Sequence, residues 1–168
     1  WQKIEELLES SIIALMASKL NISILPAGAW WTALAVPLSD NGYNVKLFFR
    51  KQENTDIFKK TKVNFKRLPA IKFNGLVSAT SNLEEAVLES DVLIIACDCT
   101  HVRNFFTTIK PFLNGKTKIL CVSKGIENGS NLCMSEVLEQ VDPQISSRLA
   151  VLSGPNFAVE VGKRLPTL

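Results

Sequence analysis

The sequence of 168 residues contains a single histidine, His101, and none of its four cysteines forms a C-x-x-C pair. Structural zinc is usually held by several Cys and His side chains at short, regular spacings. We therefore expect no metal site. Cys97 and Cys121 lie within apolar runs, where cysteine behaves as a small hydrophobic side chain. Reduced thiols of this kind indicate a cytoplasmic protein.

Long apolar runs are also missing, and none approaches the roughly 18 residues that a membrane span requires. Glu5, Glu6 and Glu9 near the start argue against a secretory signal or a transit peptide. The sequence shows no internal repeat and no low-complexity linker. With 46% hydrophobic and 21% charged residues, its composition is that of an ordinary globular domain.

The net charge is +3, and the positive residues are densest between Lys46 and Lys72, a stretch that we expect to be rich in loops. Such a charge run is most often a solvated face. The alternative is a patch that attracts phosphate-bearing ligands. Aromatic residues are not interleaved with these charges as they are in nucleic-acid-binding motifs, so we expect no nucleic-acid partner.

Apolar spacing divides the chain into an opening segment and a longer α/β part. Residues 1–20 carry apolar side chains at helical spacing and predict an amphipathic helical extension. Short strands are predicted at 21–25, 44–49, 76–79, 91–96, 117–122 and 148–152. Helices are predicted at 29–40, after a cap at Ser81 or Asn82, at 101–110, at 131–140 and after Gly154-Pro155. This alternation predicts a Rossmann-like, doubly wound, mostly parallel sheet over residues 21–168, with helices on both faces.

Ligands of such sheets bind where strands end and helices begin, and the first such turn is residues 26–31, Pro-Ala-Gly-Ala-Trp-Trp. Phosphate-binding turns at this place usually read G-x-G-x-x-G, and only the middle glycine, Gly28, is present. That glycine lets the backbone approach a pyrophosphate. Pro26 has no amide to donate, and Trp31 places an indole where a hydrogen atom is expected. By itself this turn favours an ordinary strand–turn–helix corner.

Arg50 follows the second predicted strand, about twenty residues after Gly28, where dinucleotide-binding folds contact the adenine ribose. An acidic residue there favours NAD, whereas an arginine accommodates a 2′-phosphate. The pair Arg50-Lys51 therefore favours NADP, or the use of either cofactor. The alternative is a solvated arginine with no role in binding.

Several segments, taken in order, resemble the bacterial NAD(P)-dependent glycerol-3-phosphate dehydrogenases. Residues 22–35 are similar to that family's opening I-x-V-L-G-A-G-A-W-G-T-A-L-A. Residues 41–50 and 80–87 are similar to its next strand and helix. Ser123-Lys-Gly-Ile-Glu127 resembles its T-K-G-I-E turn, and residues 152–158 resemble its S-G-P-[ST]-F-A turn.

The resemblance implies the nucleotide-binding half of an enzyme that uses NAD or NADP to reduce dihydroxyacetone phosphate, a small phosphate substrate, to sn-glycerol 3-phosphate for phospholipid synthesis. The expected cofactor-binding residues are Gly28, Ala29, Trp30, Arg50, Lys124 and Ala158. The expected substrate-binding residues are Lys124, Gly154 and Asn156. An ammonium group such as that of Lys124 can hold a phosphate or a polarised carbonyl oxygen. Lys124 and Asn156 can also be ordinary turn residues, and Asp98 and His101 gain no role from the resemblance.

The departures from the family keep other interpretations open. Pro26 and Trp31 replace two glycines, and Pro37 falls inside the first predicted helix, where an interior proline costs roughly 3 kcal/mol. By the resemblance, the general-acid lysine belongs to a helical second domain beyond residue 168, so no catalytic residue is assigned. A degenerate, non-catalytic interaction module and a different dehydrogenase are the alternatives. An exposed docking face for a second domain would also allow copies of the chain to associate as a homo-oligomer.

Overall fold

Strands and helices alternate along the chain, of which the computed structural model describes residues 20–154 and 157–165. The strands are β1 (Asn21–Leu25), β2 (Asn44–Phe48), β3 (Val63–Asn64), β4 (Leu68–Lys72), β5 (Val77–Thr80), β6 (Val92–Ile95), β7 (Lys118–Cys121) and β8 (Leu149–Val151). The α-helices are α1 (Ala29–Asp40), α2 (Gln52–Thr61), α3 (Leu83–Leu88), α4 (Val102–Ile109), α5 (Met134–Val141) and α6 (Ala158–Gly162). Short 3-10 helices cover Cys99–His101, Lys110–Phe112 and Pro143–Arg148.

The predicted elements are largely confirmed. Each of the six predicted strands is present, with ends shifted by at most one residue, and α1 covers the predicted range. Asn82 is the cap of α3, because its side chain accepts a hydrogen bond from the amide of Glu85 at 3.2 Å. The helical extension predicted over residues 1–20 lies, except for its last residue, outside the described residues. The predicted substrate residue Asn156 lies outside them as well.

The main sheet has six strands in the order β5-β2-β1-β6-β7-β8, all of them parallel. The chain first runs outward from β1 through β2 to β5, then returns to β6 beside β1 and continues to β7 and β8. The strand order therefore reverses between β1 and β6. This topology confirms the predicted Rossmann-like fold, and such a reversal opens a crevice at the carboxyl ends of the strands.

Successive residues of the central strands enter two different cores, one on each face of the sheet. Ile22 and Ile24 point to the face covered by α1 and α6, whereas Leu25 points to the face covered by α3, α4 and α5. In β6 the same alternation places Ile94 in the first core and Leu93 in the second. Because both faces are buried, the strands read as continuous apolar runs.

The expectation that the basic stretch between Lys46 and Lys72 is mostly loop is wrong. It contains helix α2 and an antiparallel pair formed by β3 and β4. Helix α2 buries only Thr55 and Phe58. Charged and polar residues cover most of the rest of its surface, so the sequence lacks the apolar periodicity by which a helix is recognised. Strand β3 has only two residues, and the pairing of Asn64 with Leu68 breaks the regular register, which leaves little alternation to recognise.

Pro37 is truly inside α1, and the helix continues past it to Asp40. A proline at this position has no amide hydrogen for the carbonyl of the preceding turn. The end of the helix is supported elsewhere, because the amide and the side chain of Asn41 both donate to the Pro37 carbonyl oxygen, at 3.1 and 2.8 Å. Arg164 donates two hydrogen bonds, of 2.6 and 3.0 Å, to the carboxylate of Asp40 and lowers its pKa.

Substituting Pro37→Ala is expected to raise the free energy of unfolding by about 1–3 kcal/mol, because an interior proline loses one hydrogen bond and crowds the preceding turn. Urea unfolding followed by circular dichroism measures the change. Pro111→Ala is the matched control, since Pro111 stands at the start of a 3-10 helix, where proline is tolerated. Equal stability of wild type and Pro37→Ala would contradict the assignment of strain to this position.

Candidate functional site

A groove of about 410 Å³ opens at the carboxyl ends of β1, β6 and β7, next to the reversal of strand order. Three turns contribute to it. Its lining consists of Trp30, Trp31, Cys97, Asp98, Cys99 and Lys124. It lies where the topology of an open parallel sheet places a ligand.

Lys124 connects these turns across the groove. Its Nζ donates a hydrogen bond of 2.5 Å to the carbonyl oxygen of Gly154, in the turn after β8. The same Nζ lies 5.3 Å from the centre of a Trp30 ring, within the range of a cation–π contact. The turns that follow β1, β7 and β8 thus meet at one place, as the sequence predicts. The binding roles of Lys124, Gly154 and Trp30 stay predictions.

The indole of Trp31 occupies the space beside Gly28. A Cβ atom built on Gly28 would lie 2.7 Å from Cδ1 of Trp31, which is too close for a side chain at that position. Trp31 also meets the ring of Trp30 edge-on, with ring centres 4.8 Å apart. The packing of Trp31 therefore requires glycine at position 28. The indole also leaves a pyrophosphate less room to approach the Gly28 backbone than the sequence predicts.

The amides of the first turn are mostly engaged within the chain. The amide of Ala27 donates to the carbonyl oxygen of Phe48 at 2.8 Å, and the amide of Gly28 donates to the carbonyl oxygen of Pro26 at 2.9 Å. Pro26 itself has no amide hydrogen. A phosphate at this turn would instead meet the amino-terminal turn of α1, which begins at Ala29 and carries the positive end of the helix dipole.

Arg50 lies in a second pocket, separated from Lys124 by the Gly28 turn. This pocket of about 330 Å³ is enclosed by the turn after β1, the end of β2 and the β3–β4 hairpin. Arg50, Lys51, Lys66 and Arg67 line it together with Asn54 and Asn64. Part of the basic stretch therefore lines an open pocket, and its four cations are exposed to solvent.

Glu127 anchors the turn that carries Lys124. Its carboxylate accepts two hydrogen bonds from Arg103, of 2.9 and 2.7 Å, and a third of 2.6 Å from the hydroxyl of Ser130. The Arg103 guanidinium, followed by Ser130, lowers the pKa of Glu127 to about 2. The role of this residue was not predicted from the sequence, although it is the acid of the T-K-G-I-E-like turn.

Gly125 fits the Lys124 turn closely against the turn after β6. Its φ of +116° is unfavourable for other residues, and a Cβ there would lie 3.0 Å from the Sγ of Cys99. Beside it, the hydroxyl of Ser123 accepts a hydrogen bond of 3.0 Å from the amide of Cys97. Burial raises the pKa of the Cys97 thiol to about 11, so it stays protonated near neutral pH.

The remaining predicted residues have simpler surroundings. Ala158 begins α6 and packs against the first core. Asp98 accepts hydrogen bonds from the amide and hydroxyl of Thr100, at 3.1 and 2.9 Å, and so caps a 3-10 helix. Within residues 20–154 and 157–165, no group of three or more His, Cys, Asp or Glu side chains could hold a metal ion. No described helix is both long and apolar enough to cross a bilayer.

A family model described as the N-terminus of NAD-dependent glycerol-3-phosphate dehydrogenase matches residues 21–168. The chain belongs to this family. It is 37% identical over 148 residues to a glycerol-3-phosphate dehydrogenase (NAD(P)+) of Bacillus licheniformis, an alignment that covers 88% of this chain and 43% of that relative. A second relative of the same name, from Agathobacter rectalis, is 32% identical over 147 residues with the same coverage.

Solved structures of the family have the same fold. Glycerol-3-phosphate dehydrogenase from Coxiella burnetii superimposes with a TM-score of 0.79 and 32% identity, over 89% of this chain and 45% of that one. A pyrroline-5-carboxylate reductase from the same organism, with a TM-score of 0.55 and 17% identity, shares the fold alone. The chain spans less than half the length of the family members that it matches.

Substituting Glu127→Gln is expected to lower stability at pH 7, because it removes a carboxylate that the folded chain holds in its charged form. The pKa falls from 4.5 to about 2 on folding. The stabilisation is therefore present above pH 4.5 and is lost as the pH falls toward 2. Urea unfolding at several pH values should show the difference between wild type and variant shrinking across that window. A difference that stays constant would contradict this, and Glu84→Gln, at an exposed carboxylate on α3, is the control.

Substituting Gly125→Ala is expected to destabilise the chain by about 1–3 kcal/mol, since an L side chain is strained at that φ and meets the Cys99 thiol. Gly129→Ala is the matched control, because Gly129 also has a positive φ, +91°, but has nothing within 4 Å of an added Cβ. Thermal unfolding of both variants compares the two effects. Equal destabilisation would show that the contact between the turns is unimportant.

Proposed function

We propose that this chain is the dinucleotide-binding part of an NAD(P)-dependent glycerol-3-phosphate dehydrogenase. The observation that carries the proposal is the position of Lys124, whose ammonium group lies between the Gly154 carbonyl oxygen and a Trp30 ring at the mouth of the crevice. In this proposal the complete enzyme transfers a hydride from the nicotinamide to the carbonyl carbon of dihydroxyacetone phosphate. NADH or NADPH supplies that hydride and becomes NAD+ or NADP+, a general acid protonates the carbonyl oxygen, and the product is sn-glycerol 3-phosphate, a precursor of phospholipids.

Lys124 serves both ligands in this proposal. Its ammonium group already points to an oxygen acceptor, the carbonyl of Gly154, and can exchange this acceptor for a substrate phosphate or carbonyl oxygen. Trp30 lies next to it and would contact the cofactor. Gly154 and Asn156 complete the substrate side, and Gly28, Ala29, Arg50 and Ala158 complete the cofactor side.

The family members are more than twice as long as the matched region, and we assign their general acid to the part that this chain does not span. Exposed apolar side chains on the segment that carries Gly154 support such a division. They are Val151, Leu152, Phe157, Val159 and Leu165, with Phe157 68% exposed. We propose residues 21–168 as the nucleotide-binding domain and residues 1–20 as an extension before it. The same exposed apolar side chains would allow copies of the chain to associate.

The cysteines support a reducing location. All four, including the exposed Cys133, are free thiols. We therefore propose a cytoplasmic enzyme.

A degenerate, non-catalytic interaction module is the second candidate, and two observations favour it. The indole of Trp31 fills the space beside Gly28, and the amides of Ala27 and Gly28 are already engaged. Both features weaken the pyrophosphate contacts that this turn makes in other dinucleotide-binding folds.

Titration of the chain with NADH and with NADPH, followed by calorimetry, separates the two candidates. The proposed function predicts binding of at least one cofactor, weakened about tenfold or more by Lys124→Ala. It also predicts no turnover of dihydroxyacetone phosphate by this chain alone. Absence of binding by both cofactors at millimolar concentration would reject the proposed function and favour the interaction module.

Substituting Trp31→Gly is expected to tighten the binding of both cofactors, because it frees the space beside Gly28. The same change should lower stability by about 1 kcal/mol or more, since it places a glycine in a helix and removes packing. Calorimetric titration and urea unfolding measure the two effects. Trp31→Phe, which keeps a ring at this position, is the control. Unchanged or weaker binding by Trp31→Gly would show that the indole does not obstruct the cofactor.

A further inference from the structure

Among the residues that the structure describes, four cationic side chains and no acidic one line the pocket beside the Gly28 turn. Arg50 and Lys51 come from the end of β2, and Lys66 and Arg67 come from the hairpin between β3 and β4. The pocket has a volume of about 330 Å³. The four charges around it come from two separate segments of the chain. Like charges held together repel one another, and an anion in the pocket would relieve that repulsion.

These four side chains differ from the basic residues that the described part of the chain pairs with carboxylates. Across the described part of the chain, none of the four forms an ion pair or donates a side-chain hydrogen bond. The basic residues that are paired with carboxylates lie elsewhere: Lys46, Arg103, Lys110, Arg148 and Arg164. The donors lining the pocket are therefore available to a ligand.

The hairpin is fixed to the dinucleotide turn by buried hydrogen bonds. The side-chain amide of Asn64 donates to the hydroxyl of Thr32 at 3.0 Å, and that hydroxyl donates to the Gly28 carbonyl oxygen at 2.5 Å. The amide of Arg67 donates back to the Asn64 carbonyl oxygen at 3.1 Å, and Leu68 is buried in the first core. The backbone that carries Lys66 and Arg67 is thus held in place before any ligand binds.

On the basis of the proposed function, which expects Arg50 beside the adenine ribose, we infer that Lys66 and Arg67 of the hairpin contact the 2′-phosphate of NADP(H) and make the chain select NADP(H) over NAD(H). Arg50 stands at the end of β2, where dinucleotide-binding folds meet the adenine ribose. An arginine matches the geometry of a phosphate with two parallel hydrogen bonds. NAD(H) carries a hydroxyl in place of the 2′-phosphate, so the four cations add little to its binding free energy.

The chemistry of the first turn fits this inference. Pro26 offers no amide, and the amides of Ala27 and Gly28 are engaged, so the pyrophosphate loses contacts that are common to both cofactors. Contacts to a third phosphate then contribute a larger share of the binding free energy. The discrimination between NADPH and NADH depends on the contacts to the 2′-phosphate alone and should decrease with added salt, because exposed charges are screened.

The test measures the dissociation constants of NADPH and NADH for the wild-type chain and for Lys66→Gln and Arg67→Gln. We expect wild type to bind NADPH at least about tenfold more tightly than NADH, and each variant to lose about fivefold or more for NADPH alone. Lys72→Gln is the control, because Lys72 is an exposed cation of β4 outside the pocket. Titration with 2′-AMP and 5′-AMP repeats the comparison without a pyrophosphate, and 2′-AMP should bind more tightly.

The outcomes separate this inference from the proposed function. Equal affinities for NADPH and NADH, unchanged in both hairpin variants, would overturn the inference and leave the proposed function standing. Equal losses for both cofactors in Arg67→Gln would also overturn it, since they would indicate general attraction of anions. Absence of binding by both cofactors would overturn the proposed function and this inference with it. Circular dichroism checks that each variant is folded.

Discussion

The central strands β1 and β6 of the parallel sheet are buried on both faces, and this constraint determines where the chemistry of the molecule can lie. A sheet with two apolar faces needs helices on each side, and each crossover through a helix returns the chain to the same starting edge. All strands therefore end at the opposite edge. The turns that carry Trp30, Lys124 and Gly154 meet there although they are far apart in sequence.

Much of the fold could be predicted from the sequence because burial leaves a regular pattern. The run of residues 92–95 is apolar at every position, since its side chains enter two cores in turn. Helix α2 and the β3–β4 hairpin were missed for the opposite reason. They bury few residues, and their surface charges resemble those of a solvated loop.

The candidate site could be predicted only in part. Motif resemblance located Lys124 and Gly154, because both lie in turns with distinctive spacing. The pairing of Glu127 with Arg103, and the position of the Trp31 indole beside Gly28, depend on how separate turns pack together. The packing of separate turns against one another cannot be deduced from the order of these residues in the sequence. Only the fold brings Lys66 and Arg67 of the hairpin around the same space as Arg50.

The bidentate contact between Arg164 and Asp40 joins residues separated by 124 positions. Helix α1 is among the first described elements to leave the ribosome, whereas its partner after α6 is among the last. Until the segment near Arg164 has emerged, the face of the sheet that carries α1 lacks the cover of α6. Completion of this half of the domain must therefore wait until residue 164 has been translated, and a nascent chain released earlier would expose apolar surface to chaperones.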